Sequence, residues 1–327
     1  MINNSISSGR IFYIDIAKCI AIISVVVCHV LLMDLYSFHD IWNSPLMKFV
    51  SSYQMPLFMF LSGLVSITAH PKNGIIQDII RRIQQLIVPF IIVASIFSLW
   101  KDHSLGFVFD TFKWGYWYLW VLFTYYLFSY TLNGGGKKIW LRYLIALVIW
   151  FIATRIINRL PEMISNLLSL QLIVKYFPYF LMGNIIKRYQ LHDKIFDNYI
   201  LLYASIIIWM CSSLFSFHYG EYIVSCAEVL IIMHICKRMD SEKLKINKSL
   251  IRVGQSTLYI YIFHYFAIEL MVTNCFQRFL ANASCFFIDL LMATLPVAAA
   301  ISFSLVLKWI LEKDRLIMKY VFGKKHK

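Results

Sequence analysis

The chain has 327 residues, of which 60% are hydrophobic and 15% charged. Soluble domains carry roughly 25% charge, so a soluble fold is excluded, and no polar block is long enough to form a separate soluble catalytic domain. The formal net charge of +14 would favour nucleic acid in a soluble protein, but here the basic residues fall where they orient helices in a bilayer.

Long apolar runs recur to the end of the chain. They predict an all-α polytopic membrane protein, a single integral domain over 1–327 with about ten transmembrane helices. The predicted spans are 14–34, 46–68, 84–100, 116–132, 139–157, 170–187, 199–217, 221–236, 250–272 and 285–311, each near the ~20 residues that cross a bilayer. No small-residue cleavage pattern follows the first run, which is expected to remain as a signal anchor. With the N-terminus inside, most of the 31 Lys and Arg fall in cytoplasmic connections. Only Lys48, Lys101, Lys113, Arg155, Arg159 and Arg278 lie on the other side. Both termini are therefore expected on the cytoplasmic side of the inner membrane. Of the seven cysteines, five lie in apolar stretches and read as small core residues. Cys275 and Cys285 flank an external loop, where a bridge is allowed but not demanded.

The first predicted helix contains "DIAKCIAIISVVVCHV", Asp15 to Val30. Lys18 and His29 are eleven residues apart, about 20° beyond three full turns, so they share one face. Asp15 and Lys18 are i, i+3 neighbours and can pair. Ile22 and Val25 or Val26 complete the stripe, which makes it one wall of an expected channel. The rise from Lys18 to His29 is roughly 16 Å, about half the hydrocarbon core. Ionisable groups inside a membrane are costly and mark wet or polar interiors. Each residue alone also fits a bland reading: an interfacial ion pair, or a histidine near the outer headgroups.

The second helix carries "YQMPLFMFLSG", Tyr53 to Gly63. Pro56 frees a backbone carbonyl, and Ser62-Gly63 suits close helix packing. Arg81 and Arg82 open the third helix. They suit either a phosphate-bearing cofactor or a topology signal. The fourth opens with "WGYWYLWVLF", Trp114 to Phe123, an aromatic belt that also suits stacking on a sugar. Glu228 and Glu269 are intramembrane acids. "TLYIYIFHYF", Thr257 to Phe266, lies in the ninth helix and places His264 at a depth similar to His29.

These residues together resemble the acyltransferase-three family of integral membrane acyltransferases. Lys18 and His29 match its basic residue, ten residues, histidine pattern, and "DIAK" is similar to its acidic-then-basic start. "MPLFMFLSG", "WYLWVLF", "YFLMG" and "STLYIYIFHYF" are similar to its later landmarks. The resemblance implies ten helices and transfer of an acyl group, commonly acetyl from acetyl-CoA, to a sugar hydroxyl on a surface glycan or its lipid-linked precursor. It implies His29 as the catalytic residue; on that mechanism Asp15 and Lys18 lie beneath it, and His264 or another polar group stabilises the developing oxyanion. Arg10, Arg81 and Arg82 would meet the donor phosphates; Trp117, Gln54 and Glu228 would meet the acceptor. Two residues depart from the pattern: Gln54 stands where the family often has histidine, and Arg81-Arg82 replaces a spaced arginine pair. His29 would act either as a general base or as a transient acyl carrier.

The expected partners are acyl-CoA, a surface polysaccharide or lipid-linked glycan, the lipid bilayer, and a second copy of the chain as a homo-oligomer. Neither nucleic acid nor a metal is expected. The competing reading is a transporter or flippase of a glycan or lipid-linked intermediate. It calls for paired broken helices in two related halves, a pattern the sequence does not display. A glycan polymerase would call for larger basic external loops, and a non-catalytic scaffold leaves the stripe on the first helix without a purpose.

Overall fold

The structure is a computed structural model that describes residues 11–32, 44–66, 74–102, 104–133, 138–215, 219–241, 247–272 and 285–323. Arg10 and Cys275 lie outside these residues. All regular structure among them is helical. The elements are α1 (Phe12–Leu32), α2 (Pro45–Ser66), α3 (Ile75–Arg82), α4 (Val88–Asp102), α5 (Trp117–Asn133), α6 (Ile139–Ile156), α7 (Glu162–Leu168), α8 (Leu170–Arg188), α9 (His192–Phe196), α10 (Tyr199–Met210), α11 (Gly220–Ser241), α12 (Asn247–Gly254), α13 (Thr257–Val272), α14 (Phe286–Leu311) and α15 (Arg315–Tyr320). Among the described residues, five helical runs are long and apolar enough to cross a membrane: Phe12–Leu32, Pro45–Ser66, Ile75–Lys101, Ile139–Arg159 and Phe286–Leu311. The protein is a multi-pass membrane protein.

Each predicted span carries a helix, but three differ in extent. The third begins at Ile75 rather than 84, and a π-helical turn over Ile83–Ile87 joins α3 to α4. Its first turns are polar on one side, with Asp78 paired to both Arg81 and Arg82, so hydropathy alone misses them. The seventh stops at Met210 after 12 residues, roughly 18 Å, which is shorter than the ~30 Å hydrocarbon core. The ninth is broken at Gln255–Ser256 into α12 and α13. The break follows Gly254, where a Cβ would lie 1.8 Å from the Asp15 carbonyl oxygen. Only a glycine lets the end of α12 approach α1 so closely.

α1 is the central post. Apart from Asp15, Lys18, Ser24 and His29 it is apolar around its circumference, as a helix surrounded by others tends to be, and α2, α11, α12, α13 and α14 all touch it. Ile16, Ala17, Ala21, Ile22, Val26 and Val30 have no exposed surface. Lipid tails offer no hydrophobic drive between helices, so tight packing and polar ties do that work. α2 crosses α8 where Gly63 meets the Phe180 carbonyl and Gly183 meets that of Phe60. Beside the crossing, buried Asn184 donates to Ser66 Oγ (2.8 Å) and accepts from Tyr143 Oη (2.6 Å), tying α2, α6 and α8 together. Ser24 and Tyr53 hydroxyls, 2.8 Å apart, tie α1 to α2. α6 is the contrast, exposing most of its side chains as a helix facing lipid would.

A folded cap closes one face of the bundle. Short 3₁₀ turns at Gly106–Phe109 and Lys113–Gly115 sit against α7. Lys113 is 2% exposed, and its ammonium donates to the carbonyls of Val108 (2.7 Å), Asp110 (2.9 Å) and Asn166 (2.6 Å). Three donors meet three acceptors, which satisfies a buried cation. Ser169 Oγ donates to the Thr111 carbonyl (2.8 Å), and Trp120 Nε1 to that of Leu168 (3.0 Å). Elsewhere Asn198 caps α10 by accepting from the Ile200 and Leu201 amides, and Asp314 caps α15 in the same way.

Candidate active site

His29 sits one turn from the C-terminal end of α1, where the helix meets a cavity of about 630 Å³. The walls come from α1, α2, α5, α8 and α11, with Phe112 supplied by the cap and Ser212 by the 3₁₀ turn that follows α10. Pro56 also lines it, at the point where a missing amide interrupts the α2 ladder. The lining is aromatic on one side and polar on the other. Trp117 stacks on Tyr176 (centroids 5.1 Å, 18°), and Tyr179 on Tyr222 (5.8 Å, 27°). Ser51, Ser52, Gln54 and Ser225 bring hydroxyls and an amide, and Lys175 and Glu221 bring opposite charges. Flat aromatic faces beside hydroxyl-bonding groups are what a sugar ring requires.

His29 does not stand alone. The Tyr265 hydroxyl lies 2.8 Å from its Nε2 and 3.2 Å from its Nδ1. His264, the preceding residue on α13, brings its ring centroid to 5.2 Å from that of His29. His264 is fully buried, its Nδ1 lies 2.9 Å from the Ile260 carbonyl oxygen, and its Nε2 has no partner among the described residues. It is therefore behind His29 rather than in the cavity wall. The two histidines expected at one depth do meet, even though α13 is not continuous with α12.

Gln54 and Trp117 both line the cavity, Gln54 with its side-chain oxygen buried and unpartnered among the described residues. Glu228 is one layer back and reaches the wall through Ser52, whose Oγ donates to its Oε1 at 2.8 Å. Asp15 and Lys18 are at the other end of α1, and neither lines the cavity. Asp15 accepts from Gln255 Nε2 at 3.3 Å, beside the glycine that ends α12. Between Lys18 and His29 the helix face is filled: Ile22 is fully buried and Val25 forms the cavity floor. The expected continuous channel along α1 is in fact packed.

A second cavity of about 210 Å³ opens toward the opposite face. It is bounded by Phe58, Gln85, Leu86, Tyr118, Tyr261 and Phe322, among others. The π turn places Gln85 and Leu86 there, a common use of that irregularity. The two cavities share walls: on α5 Trp117 faces one and Tyr118 the other, and on α2 Pro56 and Phe58 divide in the same way. Arg82 precedes the π turn. Its guanidinium lies 4.0 Å from the Tyr126 ring centroid, with Nε 3.8 Å from Asp78 Oδ2. Asp78 also pairs with Arg81 and accepts from the Tyr130 hydroxyl. Arg10 lies outside the described residues.

Sequence reasoning missed Tyr265, Asp78 and Lys113. Asp78 was legible, three and four residues before the two arginines. Tyr265 stood in "FHYF", but nothing local says whether His264 or the next residue reaches α1. Lys113 looked like an ordinary loop charge, because its carbonyl partners come from a second segment.

The acyltransferase domain family matches residues 11–313, and the chain belongs to that family; it is a membrane acyltransferase. Nodulation protein NolL of Mesorhizobium japonicum (strain LMG 29417 / CECT 9101 / MAFF 303099) is 34% identical over 86 residues, which cover 26% of this chain and 23% of that protein. The match spans less than a quarter of that relative's length. No solved structure matches the chain.

Proposed function

We propose that this member of the acyltransferase family is an O-acetyltransferase: it moves an acetyl group from cytoplasmic acetyl-CoA to a hydroxyl of an extracytoplasmic glycan such as O-antigen, capsule or exopolysaccharide. The observation that carries the reading is His29 in a cavity that pairs stacked aromatic rings with serine hydroxyls and an amide. On this reading the ten expected spans and the excess of Lys and Arg in alternate connections support cytoplasmic termini in the inner membrane. The larger cavity then opens outward to the glycan, and the smaller opens inward to the donor. Arg81 and Arg82 serve the donor phosphates at the inner mouth, one turn from Gln85 and Leu86.

The chemistry follows from that division. A neutral His29 imidazole takes the proton of the acceptor hydroxyl as the oxygen attacks the thioester carbonyl, a role typically worth 10²–10⁴-fold. The carbon–sulfur bond breaks, the carbon–oxygen ester bond forms, and the proton passes from His29 to the departing CoA thiolate. Gln54, at the cavity edge, supplies an amide N–H for the oxyanion. His264 backs His29, and Trp117 presents the sugar ring. Asp15 and Lys18 anchor the inner end of α1 and position the helix; Glu228 orients Ser52.

The test is mass spectrometry of surface polysaccharide from cells with the gene, without it, and with His29→Ala. The expected result is one acetyl mass per modified unit, lost in both altered strains while the protein still inserts. Acetylation that persists with His29→Ala overturns the reading. Unchanged glycan mass with altered export would favour transport.

A further inference from the structure

A base must present a lone pair to the hydroxyl it deprotonates, and a neutral imidazole has one lone pair and one N–H. Something must therefore decide which nitrogen carries the proton. In the hydrolase triads a third group does this by accepting the N–H that faces away from the reaction. Among the described residues His29 hydrogen-bonds Tyr265, not a carboxylate.

Tyr265 is held more firmly than a packing residue needs to be. It is 4% exposed, and its ring sits 4.6 Å from His29, 4.2 Å from His264, 5.1 Å from Tyr116 and 5.7 Å from Phe97, centroid to centroid. Its oxygen lies against Gly115, where a Cβ would fall 1.7 Å away. Gly115 has φ of 88°, a conformation glycine adopts readily. The Gly115 carbonyl is itself fixed by the Tyr261 hydroxyl at 2.6 Å. The phenol oxygen thus has one place to be, within hydrogen-bonding distance of His29, nearer its Nε2 than its Nδ1.

We infer that Tyr265 is the positioning residue of the transfer, acting through His29. Its oxygen accepts one ring N–H of His29 and turns the other nitrogen's lone pair to the acceptor hydroxyl. When that hydroxyl's proton reaches His29, the same oxygen receives the stronger hydrogen bond of the imidazolium. The proton then leaves to the CoA sulfur and the pair returns to its starting state. This role rests on the reading of His29 as the base.

The test uses the full chain in lipid nanodiscs, with acetyl-CoA and surface polysaccharide from a strain lacking the gene. Tyr265→Phe keeps the ring and removes the oxygen; kcat should fall about 10²-fold while KM for acetyl-CoA stays within about twofold. Difluorotyrosine at position 265 keeps the shape but weakens the oxygen as an acceptor, and should give an intermediate kcat. A Phe variant within about twofold of native kcat overturns the role. So does a difluorotyrosine protein equal to native beside an inactive Phe variant, because that pattern is steric. Carbethoxylation of His29 by diethyl pyrocarbonate, read by mass spectrometry, needs no turnover. Its rate should change by about threefold or more in Tyr265→Phe, the scale of one hydrogen bond, and an unchanged rate overturns the contact. Loss of transfer in His29→Ala with native transfer in Tyr265→Phe overturns Tyr265 alone. Transfer that survives His29→Ala overturns the function itself and this role with it.

Discussion

Gly63 on α2 and Gly183 on α8 form a reciprocal contact: a Cβ on the first would lie 2.0 Å from the Phe180 carbonyl oxygen, and one on the second 2.1 Å from that of Phe60. Each helix thus lays its backbone against the other's, and neither glycine can be replaced without spreading the pair. α2 carries Gln54 and Pro56, and α8 carries Tyr176 and Tyr179, all in the wall of the His29 cavity. Gly63→Ala or Gly183→Ala should therefore destabilise the protein by about 1–3 kcal/mol, the usual cost of overpacking. Thermal unfolding in detergent would measure it, and the double variant should cost less than the sum because both act on one crossing.

Asp78 gathers Arg81, Arg82 and the Tyr130 hydroxyl at the mouth assigned to the donor. Asp78→Asn should leave His29 chemistry intact and raise KM for acetyl-CoA by about three- to tenfold, with kcat changed less. Arg82→Lys should do the same, because a lysine cannot reproduce the planar stack on Tyr126 at 4.0 Å. A kcat collapse with unchanged donor KM in either variant would contradict the assignment.

Trp117 stacks on Tyr176 in the cavity wall. Trp117→Ala should weaken acceptor binding by about tenfold or more, with Trp117→Phe in between, since an aromatic contact of this kind is worth about 0.5–1.5 kcal/mol beyond area. Acceptor KM measured against isolated polysaccharide is the readout. Donor KM should not move.

Burial draws the Lys113 ammonium down from 10.5 to about 8, partly opposed by the Asp110 carboxylate. The unfolded chain keeps this proton up to about pH 10.5, while the folded protein releases it near 8. Between those values the unfolded state binds more protons, so the folded state gains stability as pH rises through the window and loses that gain as pH falls to 8. Hydrogen exchange of the segment around residues 108–116, corrected for intrinsic rates, should show rising protection from about pH 8 to about pH 9.5. Lys113→Met should abolish the slope and lower protection throughout, because three carbonyls lose their donor.

Much of the molecule was legible from local chemistry. The helical runs and the membrane character of the chain depend on apolar periodicity and composition, which act within single segments. The break between α12 and α13 was not legible, because Gly254 matters only when Asp15 of another helix lies against it. Nor was the filling of the stripe between Lys18 and His29. Ile22 reads the same whether it faces a channel or a neighbour, and the neighbour's side chain decides.

By itself, the sequence determined an all-helical membrane chain with a histidine near one end of a long apolar helix, since composition and a 3.6-residue period act within a single segment. Only the tertiary structure decided that Tyr265 rather than His264 bonds His29, that Glu228 stands behind Ser52, and that two cavities approach each other from opposite faces. Those facts depend on where α13, α11 and α5 cross the others. Such crossings are set by contacts between residues far apart in the chain, such as Gly63 with Phe180 and Gly115 with Tyr265, which no local pattern encodes.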